Sequence, residues 1–123
     1  MSTRFLKIAV VYFVLAIALG IYMGAMQDVT QRPVHAHLNL LGWVSMALFG
    51  LLYHAFPAAA TTALARWHFW VYQLALPPLM AAVAAVHAGY MGAVPVAGAL
   101  SVIMGIAILF FAINVWRTLP AAT

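Results

Sequence analysis

Apolar residues form four long runs along the chain, separated by short polar or proline-containing breaks. The runs cover about 5–26, 34–56, 66–90 and 95–117, and each approaches or exceeds the roughly 20 residues that a membrane-spanning helix needs. The breaks contain the sequences QDVTQRP, PAAATTALA and MGAVP. Because short connections make consecutive helices antiparallel neighbours, the pattern predicts a four-helix, up-and-down unit.

Composition places the chain among membrane proteins. Of its 123 residues, 68% are hydrophobic and 5% are charged, whereas soluble domains carry about 25% charged residues. The mean hydropathy is +1.11. We therefore expect an all-α integral membrane protein that forms one domain, 1–123, in contact with the lipid bilayer. The chain has no cysteine, which excludes disulfides and thiol chemistry. Its scattered basic residues make no nucleic-acid patch.

The few charged residues are divided unevenly between the two predicted membrane sides. One side carries Arg4, Lys7, Arg66 and Arg117, and the other carries Arg32 and Asp28. Cytoplasmic segments of membrane proteins are enriched in Lys and Arg. The pattern therefore predicts a multi-pass protein of the inner (cytoplasmic) membrane, with both termini in the cytoplasm.

Histidines are the main candidates for chemistry, since ionisable residues inside a membrane are costly and indicate function. The topology places three of the five at the outer level and two beside the inner loop: His35, His37 and His87, then His54 and His68. We interpret the inner pair as residues of the headgroup region. The outer three are the candidate metal ligands, because neutral imidazole leaves one ring nitrogen free to ligate.

His35 and His37 form an H-x-H pair at the start of the second run. On a regular helix their side chains point about 200° apart, so they cannot easily bind one metal ion together. They can instead serve two sites on opposite sides of the helix. Arg32, three residues before His35, suits a haem propionate.

Two other residues near the pair are candidate cofactor contacts. Asn39 lies four residues after His35 and could orient a ring or a propionate. Trp43 could pack on a porphyrin face, although a core or lipid-facing position is an equal alternative. Elsewhere, Gly20 and Gly24 have helix-packing spacing, and Gln73 and Asn114 are expected to make hydrogen bonds between helices.

The sequence HAHLNLLGWVSMALFGLLYHAFP, residues 35–57, resembles the second transmembrane helix of haem–copper oxidase and nitric oxide reductase catalytic subunits. In that family a histidine opens the helix on the outer side, a glycine follows about four turns later, and an aromatic residue and a proline end it. Here these features are His35 or His37, Gly50, and Tyr53 to Pro57. The H-x-H pair also resembles a later oxidase helix whose two histidines ligate two different haems.

The resemblance implies a haem b protein of electron transfer or of small-gas (O2 or NO) chemistry. The family's subunits have twelve helices in three four-helix arcs, and this chain looks like one arc. Three copies would form a homotrimer in which His37 of one subunit and His35 of the next hold one haem b. The family's copper-site motifs and any intramembrane acid are missing, so proton-pumping oxygen reduction is not expected. The redox partner and any turnover stay open.

Two other hypotheses remain open at the level of sequence. The first is a copper-binding membrane protein that uses His35, His37 and His87, since imidazole suits copper. The second is a non-catalytic assembly or interaction subunit whose histidines only form hydrogen bonds between helices.

Overall fold

Four long helices make up most of the chain in the computed structural model, which describes residues 1–119. They are α1 (Ser2–Met26), α2 (Arg32–Ala55), α3 (Ala63–His87) and α4 (Val94–Thr118). A short helical turn, Pro57–Ala60, lies between α2 and α3, and a 3-10 turn, Met91–Ala93, lies before α4. The prediction of four helices long and apolar enough to cross a membrane is confirmed. Residues 120–123 of the predicted domain lie outside the described residues.

Local sequence signals explain where α2 and α3 begin and end. Phe56 leaves the helical conformation (φ −125°) because the residue before a proline, here Pro57, is disfavoured in a helix. The Thr62 hydroxyl then caps α3 by accepting the Ala65 N–H at 3.0 Å. At the other end of α3, Gly89 adopts a positive φ of 97°, and the Tyr90 N–H returns to the Ala85 carbonyl. This glycine turn ends α3 at His87, before the predicted residue 90.

Helix α2 contains a segment that the sequence pattern did not predict. Residues Leu38–Ser45 form a π-helix between the α-helical segments Arg32–His37 and Met46–Ala55. Its wider turns change the pairing of backbone groups, and the Leu41 carbonyl accepts a hydrogen bond from the Tyr72 hydroxyl of α3 at 2.9 Å. π-Helical turns are rare, occur mostly as single turns within α-helices, and are often found at functional sites. This one follows the H-x-H pair directly.

Helices α1 and α2 pack along each other in opposite directions. Phe5 near the start of α1 contacts Tyr53 near the end of α2, and Ala16 contacts His35. Midway, a Cβ atom on Gly42 would lie 2.7 Å from the Tyr12 ring. A larger residue than glycine at position 42 would therefore push the two helices apart. We call the end of the bundle where α2 begins, near His35 and His37, the histidine end. The opposite end, where α1 begins and α4 ends, is called the terminal end.

Helices α3 and α4 form the second close pair, and the two pairs meet through an aromatic core. This core contains residues from all four helices: Phe5, Phe49, Tyr53, His68, Phe69, Tyr72 and Phe111. Nearer the terminal end than this core, the buried Asn114 of α4 donates to the Ala59 carbonyl at 2.8 Å and accepts from the Thr62 hydroxyl. These bonds tie α4 to the connection between α2 and α3. Asn114 was predicted to make hydrogen bonds between helices, and its partners are in the connection between α2 and α3 instead of in a neighbouring long helix.

Candidate functional site

His35 lies between α1 and α2 at the histidine end. Its Nδ1 is 3.0 Å from the Ala16 carbonyl of α1, and its half-buried ring lies over Gly20. A Cβ atom at position 20 would approach the His35 Cε1 to 3.0 Å. The glycine therefore makes room for the imidazole, which is a more specific use than the general helix packing expected for Gly20.

His37 lies on a different side of α2. Its Nδ1 is 2.7 Å from the carbonyl of Pro33, one turn earlier in the same helix, and its ring is half-buried. Residues Arg32–His37 are regular α-helix, so the rotation of about 200° between positions 35 and 37 applies. With His35 facing α1, His37 points away from α1.

The hydrogen bonds fix which ring nitrogen is free in both histidines. A carbonyl oxygen can only accept, so the Nδ1 of each neutral imidazole carries the proton and Nε2 keeps its lone pair. Among the described residues, neither Nε2 makes a hydrogen bond. Metal-binding histidines commonly donate one ring N–H to a backbone carbonyl in this way, which orients the ring. In both side chains Nε2 is thus the ring nitrogen with a free lone pair.

His87 has the same arrangement at the end of α3. Its Nδ1 is 2.9 Å from the Val83 carbonyl, and the side chain is exposed. A hydrogen bond from the Gln31 side chain to the Ala84 carbonyl joins the start of α2 to this end of α3. Within residues 1–119, however, no three His, Cys, Asp or Glu side chains lie close enough to hold one metal ion. The copper hypothesis therefore has no ready-made centre within one described chain.

The other candidate contacts have defined positions. Arg32 is exposed at the first residue of α2. The Asn39 amide donates to the His35 carbonyl at 2.9 Å, so it holds the backbone of the H-x-H segment and not an imidazole ring. Trp43 stacks on Phe13 of α1, with ring centroids 4.6 Å apart. Trp43 thus belongs to the contact between α1 and α2.

Asp28 provides the negative charge at the histidine end. The Asp28 carboxylate accepts hydrogen bonds from the Thr30 side chain and, at 2.9 Å, from the Thr30 N–H. These bonds lower the pKa of Asp28 below its usual value. The carboxylate is fully exposed and therefore stays ionised at neutral pH. Together, Asp28 and Arg32 make this end of the bundle nearly neutral, in contrast to the terminal end.

His68 is fully buried, which the sequence did not predict. The sequence placed it in the headgroup region, but it is 0% exposed inside the aromatic core. Its Nδ1 lies 3.0 Å from the Tyr53 hydroxyl, and its Nε2 has no partner among residues 1–119. Ala65, His68 and Tyr72 share one buried face of α3. Apolar residues also occupy the exposed faces of this helix, so the hydrophobic pattern carried no clear signal for the burial of His68. His54, in contrast, is exposed.

Comparison of the chain with protein families, with curated proteins and with solved structures finds no match. The likeness of residues 35–57 to haem–copper oxidase subunits therefore stays a prediction from the sequence. The geometry of the histidine end provides a separate argument, because it depends only on where the imidazoles lie and what their nitrogens contact.

Proposed function

We propose that this protein is an integral membrane protein that binds haem b at the histidine end and takes part in electron transfer. The observation that carries the proposal is that Nδ1 of both His35 and His37 donates to a backbone carbonyl. Each Nε2 would then be free to ligate a haem iron. Ligation by two imidazoles would leave no position for a gas and would favour electron transfer.

Three features of the chain support haem as the ligand. Gly20 gives the His35 ring space beside α1, and the exposed Arg32 at the same end offers a cation for a propionate. With no cysteine in the chain, covalent attachment is excluded and b-type haem is the expected form. A bound haem would supply one-electron chemistry, while the chain's own residues hold and orient it.

The opposite directions of His35 and His37 favour an assembly of several copies. One chain offers one imidazole to each of two sites, so each site needs a second chain. We propose a homotrimer with closed cyclic symmetry, in which His37 of one copy and His35 of the next hold each haem. The resemblance of the chain to one of three oxidase arcs supports this number.

The haem proposal is tested by absorption spectra of the detergent-purified protein, oxidised and dithionite-reduced. We expect a Soret band with sharp reduced α and β bands in the wild type, and the loss of these bands in His35→Ala and in His37→Ala. His54→Ala is the matched control, because that histidine is exposed at the terminal end, and its spectrum should be unchanged. No Soret band in the wild type, even after haem is added, would overturn the proposal and direct attention to metal analysis.

We also propose that the chain lies in the inner membrane with both termini in the cytoplasm. Arg4, Lys7 and Arg66 at the terminal end support this orientation. Because the chain has no cysteine, single cysteines at the exposed positions Thr3 and Val29 can be labelled with a membrane-impermeant maleimide. In sealed spheroplasts, Val29→Cys should be labelled at once and Thr3→Cys only after the membrane is opened. The reverse order would contradict the orientation.

A further inference from the structure

A groove between α1 and α3 at the terminal end combines cations with apolar walls. It has a volume of about 640 Å³ and is lined by Arg4, Lys7, Ile8, Phe69, Trp70 and Gln73. The groove exists because α1 packs mainly on α2 while α3 packs mainly on α4, so α1 and α3 leave space between them. Arg4 and Lys7 are both exposed.

The cations of this groove have no counter-ion within the chain's own side chains. The sequence contains one carboxylate side chain, Asp28, which lies beyond the far end of α1. At 1.5 Å per residue, the 25 residues of α1 separate the two ends by about 37 Å, more than three Debye lengths at about 0.1 M salt. The positive charge at the mouth of the groove is therefore not neutralised by Asp28.

A second concavity next to the groove continues the same pattern. It is lined by Arg66, Trp67 and Trp70, so Trp70 is shared between the two. The Arg66 guanidinium donates to the Thr61 carbonyl at 3.3 Å, which holds it at the start of α3. Both tryptophans are more than half exposed. Three cations and two exposed indole rings thus surround one end of the groove.

We propose that this groove binds an anionic phospholipid, with the phosphate between Arg4 and Lys7 and an acyl chain along Ile8, Phe69 and Trp70. The proposal rests on the membrane location proposed above and is independent of haem. Basic pockets between transmembrane helices on the cytoplasmic side suit anionic headgroups. The apolar floor selects a lipid over a free phosphate, because a soluble anion would leave Ile8 and Trp70 uncovered.

Native mass spectrometry of the detergent-purified protein tests the proposal with phosphatidylglycerol and phosphatidylcholine of equal chain length. The wild type should bind phosphatidylglycerol preferentially. The double variant Arg4→Gln/Lys7→Gln should bind phosphatidylglycerol more weakly, on the order of tenfold or more, because each cation near an anionic lipid contributes to the binding free energy. Arg117→Gln is the control, because it removes an exposed cation at the terminal end that lies outside the groove, and should bind like the wild type.

Two further measurements distinguish the binding of a whole phospholipid from the binding of a free phosphate. Trp70→Ala should also weaken phosphatidylglycerol binding, and inorganic phosphate at millimolar concentration should not displace the lipid. Equal binding of both lipids, unchanged binding in the double variant, or displacement by phosphate would each overturn the proposal. The haem spectrum of the same samples is recorded in parallel, so the loss of a lipid site and the absence of haem are separate outcomes.

Discussion

Two polar side chains are fully enclosed among the described residues, and both hold specific positions in the packing. His68 lies in the aromatic core against Phe49, with ring centroids 4.5 Å apart. Asn114 lies nearer the terminal end, bonded to the connection between α2 and α3. Buried polar groups are expensive to leave without partners. Single substitutions at these positions therefore test the packing more sharply than changes at the exposed apolar surface.

The pairing of His68 with Tyr53 predicts a non-additive result. Tyr53→Phe keeps a ring of similar size but leaves both ring nitrogens of the buried His68 without a partner, so we expect a loss of about 1–3 kcal/mol of stability. Adding His68→Phe removes the unpaired imidazole and should restore most of the loss. Thermal unfolding in detergent checks this. A double variant whose loss equals the sum of the two single losses would show that the two side chains do not act as a pair.

Asn114 and Gln73 offer a second comparison, since the sequence alone treats them alike. Asn114→Leu removes a donor to the Ala59 carbonyl and an acceptor for the Thr62 hydroxyl, so we expect a loss of about 1–3 kcal/mol. The Gln73 amide reaches only the Met46 sulfur, at 3.4 Å, a weak acceptor. Gln73→Leu should therefore change the melting temperature little. A larger loss from Gln73→Leu than from Asn114→Leu would contradict this assignment.

At the level of the helices, Pro57 correctly marked the end of α2, whereas the turn at Gly89 ended α3 earlier than predicted and the π segment was not predicted. Pro57 and Gly89 act through the backbone conformation of one or two residues, so the sequence carries their signal directly. The π-helix at Leu38–Ser45 depends on tertiary partners, among them the Tyr72 hydroxyl on the Leu41 carbonyl. Apolar residues surround these helices on all sides, so periodicity did not reveal which face is buried. The burial of His68 in the aromatic core was missed for this reason.

The same difference between local and tertiary signals applies to the candidate site. The H-x-H spacing predicted that His35 and His37 point in different directions, because helix geometry alone decides it. The sequence did not indicate that Asn39 bonds to the His35 carbonyl or that Trp43 stacks on Phe13. Those contacts depend on the packing of α1 on α2 and on the π segment.

The two glycines of the GIYMG sequence in α1 predict different effects. Gly20→Ala places a Cβ 3.0 Å from the His35 Cε1, so the imidazole must shift, and this variant should be about 1 kcal/mol less stable than Gly24→Ala, in which alanine improves helix propensity without a new contact. If His35 ligates haem, the reduced α band should shift or weaken as well. Gly24→Ala is the matched control, because a Cβ there meets nothing within 4 Å. Equal behaviour of the two variants in both unfolding and spectrum would refute the role of Gly20 as space for His35.

For the whole molecule, the candidate groups lie at both ends of the bundle. His87 at the histidine end is exposed, His37 is half-buried, and the cationic groove at the terminal end opens on the surface. A four-helix chain of this size does not enclose a cofactor between His35 and His37, since these side chains diverge. Assembly of copies is the arrangement that lets both imidazoles serve a haem, and it distinguishes this proposal from a site within one chain.

Mixed assemblies test that arrangement directly. We expect His35→Ala and His37→Ala chains, each with its own affinity tag, to lack the reduced haem bands when expressed alone. Co-expressed and purified through both tags in turn, every mixed trimer has one contact where an intact His37 meets an intact His35. Its haem content should therefore recover to about one third of the wild-type value for a closed ring of three. The control is a tandem purification of two differently tagged wild-type chains, which should retain full haem and show that the procedure does not strip it. A site formed within one chain cannot be restored by mixing, so mixed assemblies that still lack the bands would exclude the shared site. If wild-type chains do not purify together, the assembly itself is refuted.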